Sequence, residues 1–483
     1  MKLNKIILLS ALGCFALPIL AAEAPKAKAE EVKAEAKAEA KAEAPKKAAK
    51  KAKKKAAKKA HKEDAMCCAK APALPTAPTV AAAAPVASDA PTFKVGGYVK
   101  AVMNYDLNGW GGDYLKASLV PFGNANTNDK KVLSGNVKAT RLNFEGNAKS
   151  SFGDVKGYIE SDFYQSGTLS SAVVTNGLNA QTINTDSSSS GSTALRIRKA
   201  YVKVGGFMAG QDESLFLTYP QATMLDNSGH FGSGFRTIQA RYTYNADMWI
   251  LALGLEKSNT DVSDTAGALP FASNGTNTTA AGFSPKRQQN VPDVTFKVGG
   301  KVQDHEFGLR GIYRSAKVWA TNAGTTYSAS TNGWGIGADA KINTMKDSAI
   351  VAVVNYGKGI GQQINELSDY AQSFIWANPG AANASLKAQK MLQWGLGYNQ
   401  AFNDNWKASV GYSQDKLTAA NTVLTASKAD MNGKLERYFA NVRFCPVDNV
   451  SLGLEYANVK ATSVDATVNG KRDRIVFAVQ YNF

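Results

Sequence analysis

The stretch DVKGYIESDFY, residues 154–164, decides the fold. Alternate positions give Val155, Gly157, Ile159, Ser161 and Phe163 on one side, and Lys156, Tyr158, Glu160, Asp162 and Tyr164 on the other. A period of two places these sets on opposite faces of a strand, one mostly apolar and one charged or polar. The chain closes on the same pattern: Ile475, Phe477, Val479, Tyr481 and Phe483 alternate with Arg474, Val476, Ala478, Gln480 and Asn482. Before it, Val450, Leu452, Leu454 and Tyr456 oppose Ser451, Gly453, Glu455 and Ala457.

Working outward, alternation bounded by turns predicts sixteen strands, at roughly 93–106, 136–149, 154–165, 194–205, 206–211, 235–244, 246–257, 291–301, 304–319, 332–344, 347–357, 388–401, 404–415, 434–445, 448–460 and 472–483. The connections alternate in length. Long ones rich in Asn, Ser, Thr and Gly cover about 107–135, 166–193, 212–234, 258–290, 320–331, 358–387, 416–433 and 461–471, and short turns lie between them. Long loops therefore share one end of the sheet and short turns the other.

A soluble sheet also alternates, with its apolar face buried and its polar face wet. Three wider features select a membrane sheet instead: an export signal, an even strand number and strict loop asymmetry. A sheet in hydrocarbon has to close, because each unpaired edge amide or carbonyl costs several kcal/mol there, and tilted strands of about 9 to 11 residues suffice to cross. The expected fold class is all-β: a transmembrane antiparallel β-barrel of about sixteen strands, with long extracellular loops and short periplasmic turns. Both chain ends then fall on the short-turn side.

The export signal is residues 1–22: Lys2 and Lys5, an apolar run from Ile6 to about Leu20, then small residues. No later stretch is long and apolar enough to cross as a helix. Residues 23–90 form a distinct Ala/Lys/Glu/Pro-rich basic tail and linker, with 16 lysines against nine acidic side chains. It lacks an apolar stripe, so it reads as a solvated spacer in the periplasm rather than a coiled coil. Its partner class is an anionic surface of the envelope, cell-wall polymer included; export argues against nucleic acid. Residues 91–483 are the barrel domain.

Composition gives little to chemistry. The 483 residues contain three histidines and four cysteines, too few for a disulfide scaffold, and no catalytic constellation, metal set or cofactor motif is expected. If the apolar row of each strand faces lipid, the polar row lines a lumen. Arg141, Arg196, Arg198, Arg241, Arg310, Arg314, Arg437, Arg443 and Arg474 then point inward, together with Glu145, Glu160 and Asp162. Guanidinium groups match carboxylate and phosphate oxygens in pairs, and a field of one sign concentrates counterions in a narrow passage. In the third long connection, Asp212, Glu213, Phe216, Tyr219, Asp226 and His230 belong to a segment too apolar for a free surface loop. Folding it inward narrows the bore.

The segments GNVKATRLNFEGNAKSSFGDVKGYIESDFY, ALRIRKAYVKVGGFMAGQDESLF and FRTIQARYTY resemble the DcaP-like outer-membrane porins of Gram-negative bacteria. That resemblance spans most of residues 93–483 and implies a homotrimer of sixteen-stranded barrels. It also implies passive uptake of small, often anionic solutes such as dicarboxylates, and a periplasmic segment before the barrel. Contact with outer-membrane lipid and lipopolysaccharide follows from that location. The competing reading is a structural or adhesive envelope barrel anchored through its basic tail.

Overall fold

The computed structural model describes residues 90–108, 115, 120, 131–166, 173–176, 179–182, 193–216, 225, 235–257, 262–264, 284–288, 291–322, 324–345, 347–364, 373–378, 382–423, 428–429 and 431–483. The signal and tail expectations lie outside these residues. The described chain forms a closed antiparallel barrel of sixteen strands. They are β1 (Thr92–Asp106), β2 (Val132–Asn136 and Arg141–Ser150), β3 (Gly153–Ser166), β4 (Thr193–Val204), β5 (Phe207–Glu213), β6 (Arg236–Ala246), β7 (Trp249–Glu256), β8 (Ser284–Gln288 and Asp293–Val302), β9 (His305–Asn322), β10 (Thr325–Asn343), β11 (Ser348–Lys358), β12 (Lys390–Ala401), β13 (Trp406–Thr418), β14 (Asn432–Phe444), β15 (Val450–Ser463) and β16 (Asn469–Asn482). Each expected strand has its counterpart. β2 and β8 are interrupted, both pieces of each pairing with one neighbour.

Closure is made by β1 against β16, from Tyr98↔Asn482 to Asp106↔Arg474, and the terminal Phe483 exchanges backbone hydrogen bonds with Gly97 at 3.1 and 3.2 Å. Among the described residues, no barrel strand is left as an unpaired edge. The short turns reverse the chain tightly, and Asp247 and Gln303 take positive φ in two-residue connections, as hairpins of matching twist require.

Two connections are shorter than the sequence suggests. Residues 320–331 are not a loop: β9 and β10 stay paired out to Asn322↔Thr325 around Gly324, whose φ is +81°. The segment TNAGTTYSAS is polar on both faces, so it carries no apolar alternation, yet its Thr and Tyr suit a strand projecting into water. Likewise β15 and β16 leave only residues 464–468 between them.

Burial is inverted relative to a soluble fold. Outward Leu251, Leu253, Leu255, Leu309, Ile336, Leu396, Leu454 and Phe477 are exposed, whereas inward Asp106, Thr295, Arg310, Asn355, Glu455 and Arg474 are buried. This exposed apolar band is what a barrel presents to lipid. Inside, the wall from β9 to β15 is covered by an apolar cluster joining Ile312, Val351, Val353, Phe439 and Val459 to Leu115, Phe216, Ile360, Ile375 and Met431 from the long connections. A small sheet of Val262–Asp264, Phe374–Ala377 and Ser385–Ala388 packs on Ala316 and Val318 of β9.

Candidate functional site

The polar half of the interior runs from β2 to β6. Asp162 of β3 receives Arg196 of β4 through two hydrogen bonds of 2.9 and 2.7 Å, and also Arg198 at 2.8 Å. Arg198 reaches Glu160 at 2.8 Å, and Arg141 of β2 lies 3.4 Å from the same carboxylate. Arg241 donates to Asp212 at 2.8 Å, and Lys199 joins Asp212 and Glu213 at 3.4 and 3.2 Å. Lys156 pairs with Glu145 at 2.8 Å. Aromatic faces of Tyr98 and Tyr164 lie 5.2 and 5.3 Å from the Arg141 and Arg196 guanidinium carbons, within cation–π range.

These pairs are asymmetric toward water. The Arg196 side chain is 34% exposed and its partner Asp162 is 1%; Arg141 is 27% against 7% for Glu160, and Arg241 is 22% against 9% for Asp212. Carboxylates form the back layer and guanidinium groups the front. Lys199 with Glu213, Lys156 with Glu145 and Arg198 with Glu160 are exposed about equally.

The remaining arginines are placed differently. Arg310, Arg314, Arg437, Arg443 and Arg474 are all buried. Arg314 bonds Asp293 at 2.9 Å and holds the connection after β11 through the Gly359 carbonyl at 2.7 Å and Gln363 at 3.0 Å. Arg437 donates to the Leu115 carbonyl of the first long connection. Arg310 pairs with Asp339 and donates to Asn355. Arg474 makes two bonds to Asp106, 2.7 and 2.9 Å, across the closing seam.

The third long connection enters the lumen. Asp212 and Glu213 end β5, and the connection begins at Ser214. The Leu215 amide is held by Glu256 at 2.9 Å, and buried Phe216 joins the apolar cluster beside Gly335 of β10, where an added methyl would lie 3.1 Å from its ring. Leu225 then meets the far wall. Its amide donates to Glu455 of β15 at 2.7 Å, its carbonyl accepts from Lys100 of β1 at 3.0 Å, and its side chain packs with Val102, Val476 and Ala478. Gly453 makes this approach possible, since a β-carbon there would be 2.5 Å from a Leu225 δ-carbon. Tyr219, Asp226 and His230 lie outside the described residues.

Four contributors escape an arginine-led reading. Lys199 is brought inward beside Arg198 by a β-bulge, for Glu160 pairs with Lys199 while the next residue, Ser161, pairs with Ile197. Arg236 lies within electrostatic reach of Arg141, Arg196 and Arg198, Lys297 is within reach of Arg241 and Arg310, and Lys100 anchors Leu225. Lys100 and Lys297 were legible from inward parity; Lys199 and Arg236 were not. Among the described residues, no three His, Cys, Asp or Glu side chains gather as a metal site.

The barrel fold has known counterparts. Over 81% of this chain and 97% of the other, the fold matches the outer membrane channel DcaP of Acinetobacter baumannii, with a TM-score of 0.62 and 20% identity. Looser likenesses are to an anion-selective porin from Comamonas acidovorans, at TM-score 0.46 and 11% identity over 82% of this chain and 100% of that one, and to OmpT of Vibrio cholerae, at 0.45 and 12% over 82% and 99%. No curated protein matches the chain. The Porin subfamily model covers residues 92–477, which is nearly the whole barrel, so the chain belongs to the Porin subfamily, the outer-membrane β-barrels that act as passive diffusion channels.

Proposed function

We propose that this channel favours small anionic solutes, dicarboxylates among them, and works as a homotrimer with its basic tail in the periplasm. The observation that carries the selectivity is the layering of β2 to β6: each exposed arginine stands in front of a carboxylate less exposed than itself. A pair that is neutral in sum still presents its positive end to water, and in a narrow passage with low-dielectric walls that orientation raises local anion concentration. Planar guanidinium donors suit the two oxygens of a carboxylate and stay charged at any envelope pH. Arg141, Arg196, Arg241, Lys156 and Lys199 form weak sites in series, which speed release as well as entry. In this reading buried Arg314 and Arg437 serve as clamps on the connections, and Arg474 as a clamp on the seam.

The test is a reversal potential across a planar bilayer under a potassium chloride gradient. The wild-type channel favours chloride, and Arg196→Gln with Arg198→Gln reduces that preference. Arg141→Gln with Arg241→Gln, neither of them as buried as Arg198, does the same should the first pair disturb folding. Unchanged or stronger anion preference in both variants defeats the proposal. Conductance rising in threes, with a cross-linked trimer on a denaturing gel, reports the assembly.

A further inference from the structure

The short-turn end of the barrel, periplasmic in this class of protein, is charged differently in its two sectors. From β6 to β15 each of the five short turns carries an exposed aspartate: Asp247, Asp304, Asp347, Asp404 and Asp448. These offset Lys301 and Lys407 at the same level, and Lys341 has Glu306 at 3.6 Å. The turns at 151–152 and 205–206, which join β2 to β3 and β4 to β5, have no acidic residue. Four adjacent strands instead bring a lysine to the inward face there. Lys94 of β1 alternates with outward Phe93 and Val95, and Lys149 of β2 stands opposite Asp154. Lys156 of β3 stands opposite Lys203 of β4, which lies beside outward Val202 and opposite buried Met208.

Among the described residues, two inward carboxylates share this sector. Glu145, the register partner of Lys94, takes Lys156 at 2.8 Å, and Asp154 faces Lys149 without a salt bridge to it. No described carboxylate is within salt-bridge distance of Lys94, Lys149 or Lys203. Like charges directly opposite each other destabilise a sheet, so the Lys156↔Lys203 register lowers stability. The sector stands directly below the arginines. Lys156 is six residues along β3 from Asp162, which receives Arg196 and Arg198, and six residues of tilted strand descend roughly 15 Å. At the upper level Arg141, Arg196, Arg198 and Arg241 each have a carboxylate partner; at the mouth Lys156 alone of the four lysines has one. Uncompensated positive charge therefore rises toward the periplasm.

We infer that Lys94, Lys149 and Lys203, with Lys156 beside them, form a second anion-collecting station at the periplasmic mouth of the lumen, and that this station sets the channel's selectivity toward the periplasmic bath. The inference rests on the anion preference proposed above and adds a separate place at which it is exerted. The two stations differ in chemistry. A guanidinium group is a planar fork that matches two oxygens, whereas an ammonium group is a compact, strongly hydrated point charge on a flexible stem. The upper level thus reads carboxylate geometry, and the mouth takes small hydrated anions by charge alone. A separation of roughly 15 Å exceeds the Debye length of about 10 Å at about 0.1 M salt, so a bath that screens one station leaves the other in force.

The test compares reversal potentials of the full-length channel between about 0.1 M and about 1 M potassium chloride, with Debye lengths of about 10 and about 3 Å, taken with the gradient in each direction. Protein added from one side gives channels of one orientation. Dilute salt at the short-turn mouth leaves the lysines unscreened, and concentrated salt there suppresses their field. The chloride-to-potassium permeability ratio should differ at least about twofold between the two directions. Lys94→Gln with Lys149→Gln and Lys203→Gln should abolish that difference by lowering the larger ratio alone, and arginine at the same three positions should keep it. Should the triple variant not fold, Lys149→Gln alone, at an exposed residue beside a turn, should lower the larger ratio and leave the smaller. Equal wild-type ratios in both directions, or a folded variant that keeps the difference or lowers both ratios alike, overturn the inference and leave the anion preference standing. A wild-type ratio below one in both directions overturns that preference itself.

Discussion

The far end of the third long connection is seated at Leu225, and removing its support there has a calculable effect. Glu455 accepts the Leu225 amide at 2.7 Å and the Asn441 side-chain amide at 2.9 Å, while Lys100 caps the Leu225 carbonyl from the other side. A hydrogen bond to a charged group contributes about 1.5 to 3 kcal/mol. Glu455→Ala therefore raises the ratio of displaced to seated loop by about ten- to a hundredfold. Lys100→Met adds a comparable increment, and the pair are coupled through Leu225, so their sum is not additive.

Single-channel recording at high salt reads the outcome, because screening suppresses the change in lumen charge and leaves the change in bore. Glu455→Ala should show a larger or noisier unit conductance, and Glu455→Gln, which keeps an acceptor while losing the charge, should stay near wild type. Gly453→Ala reaches the same end without touching any charge, since its methyl falls 2.5 Å from a Leu225 δ-carbon. If Glu455→Ala and Gly453→Ala both form folded channels with wild-type conductance and noise, the loop is not held by this latch and the reasoning fails.

Two further outcomes follow from the same geometry. Arg474→Ala leaves Asp106 buried and without its two bonds at the seam, a loss of about 3 to 5 kcal/mol; the barrel should convert to its unfolded gel form at a clearly lower temperature, and an unchanged conversion temperature would contradict the seam assignment. Asp465, in the turn outside the membrane band, accepts from Thr467 Oγ1 and Ser463 Oγ at 2.7 Å each and from the Thr467 amide at 3.1 Å, which holds its carboxyl below the usual aspartate value. A depressed folded pKa means that the turn's added order is present above the ordinary aspartate range and lost as pH falls through the lower folded value. The Thr467 amide resonance should titrate with a midpoint below that range, and a midpoint at or above it would refute the assignment.

The barrel was legible because two independent periodicities agree. Alternation within β3, β15 and β16 reports a sheet with one apolar face, and the spacing of turns reports how the strands connect. Legibility ended where the environment no longer differs between faces. At the tip of the β9–β10 hairpin the residues from Thr325 to Asn332 are exposed or half-buried on both faces, so ATNAGTTYSASTN looks like a loop although the strands stay paired out to Asn322↔Thr325. The polar row could be assigned inward, but parity does not say whether an inward arginine meets water or a loop. Arg196 and Arg314 have the same local pattern; one faces the lumen and the other is buried under Gly359 and Gln363, because long-range packing of the connections decides between them.

The bulge in β4 shows why the site itself exceeds any strict alternation. In a regular strand, Arg196 and Arg198 would face inward and Lys199 outward. The extra residue changes the phase: Ile197 still faces outward opposite Ser161, Arg198 turns onto Glu160 and Asp162, and Lys199 faces inward opposite Glu160 to reach Asp212 and Glu213. Three cations then converge from four consecutive residues, a density that no period-two strand attains. Below the bulge the shifted phase leaves Val202 outward and stacks Tyr201 on inward Tyr158 at 5.4 Å, so the lipid-facing row survives the slip. The bulge thus concentrates positive charge where the inward loop begins without placing a charge in hydrocarbon, and the side chains best placed to steer an anion are the ones that break the pattern by which the barrel is recognised.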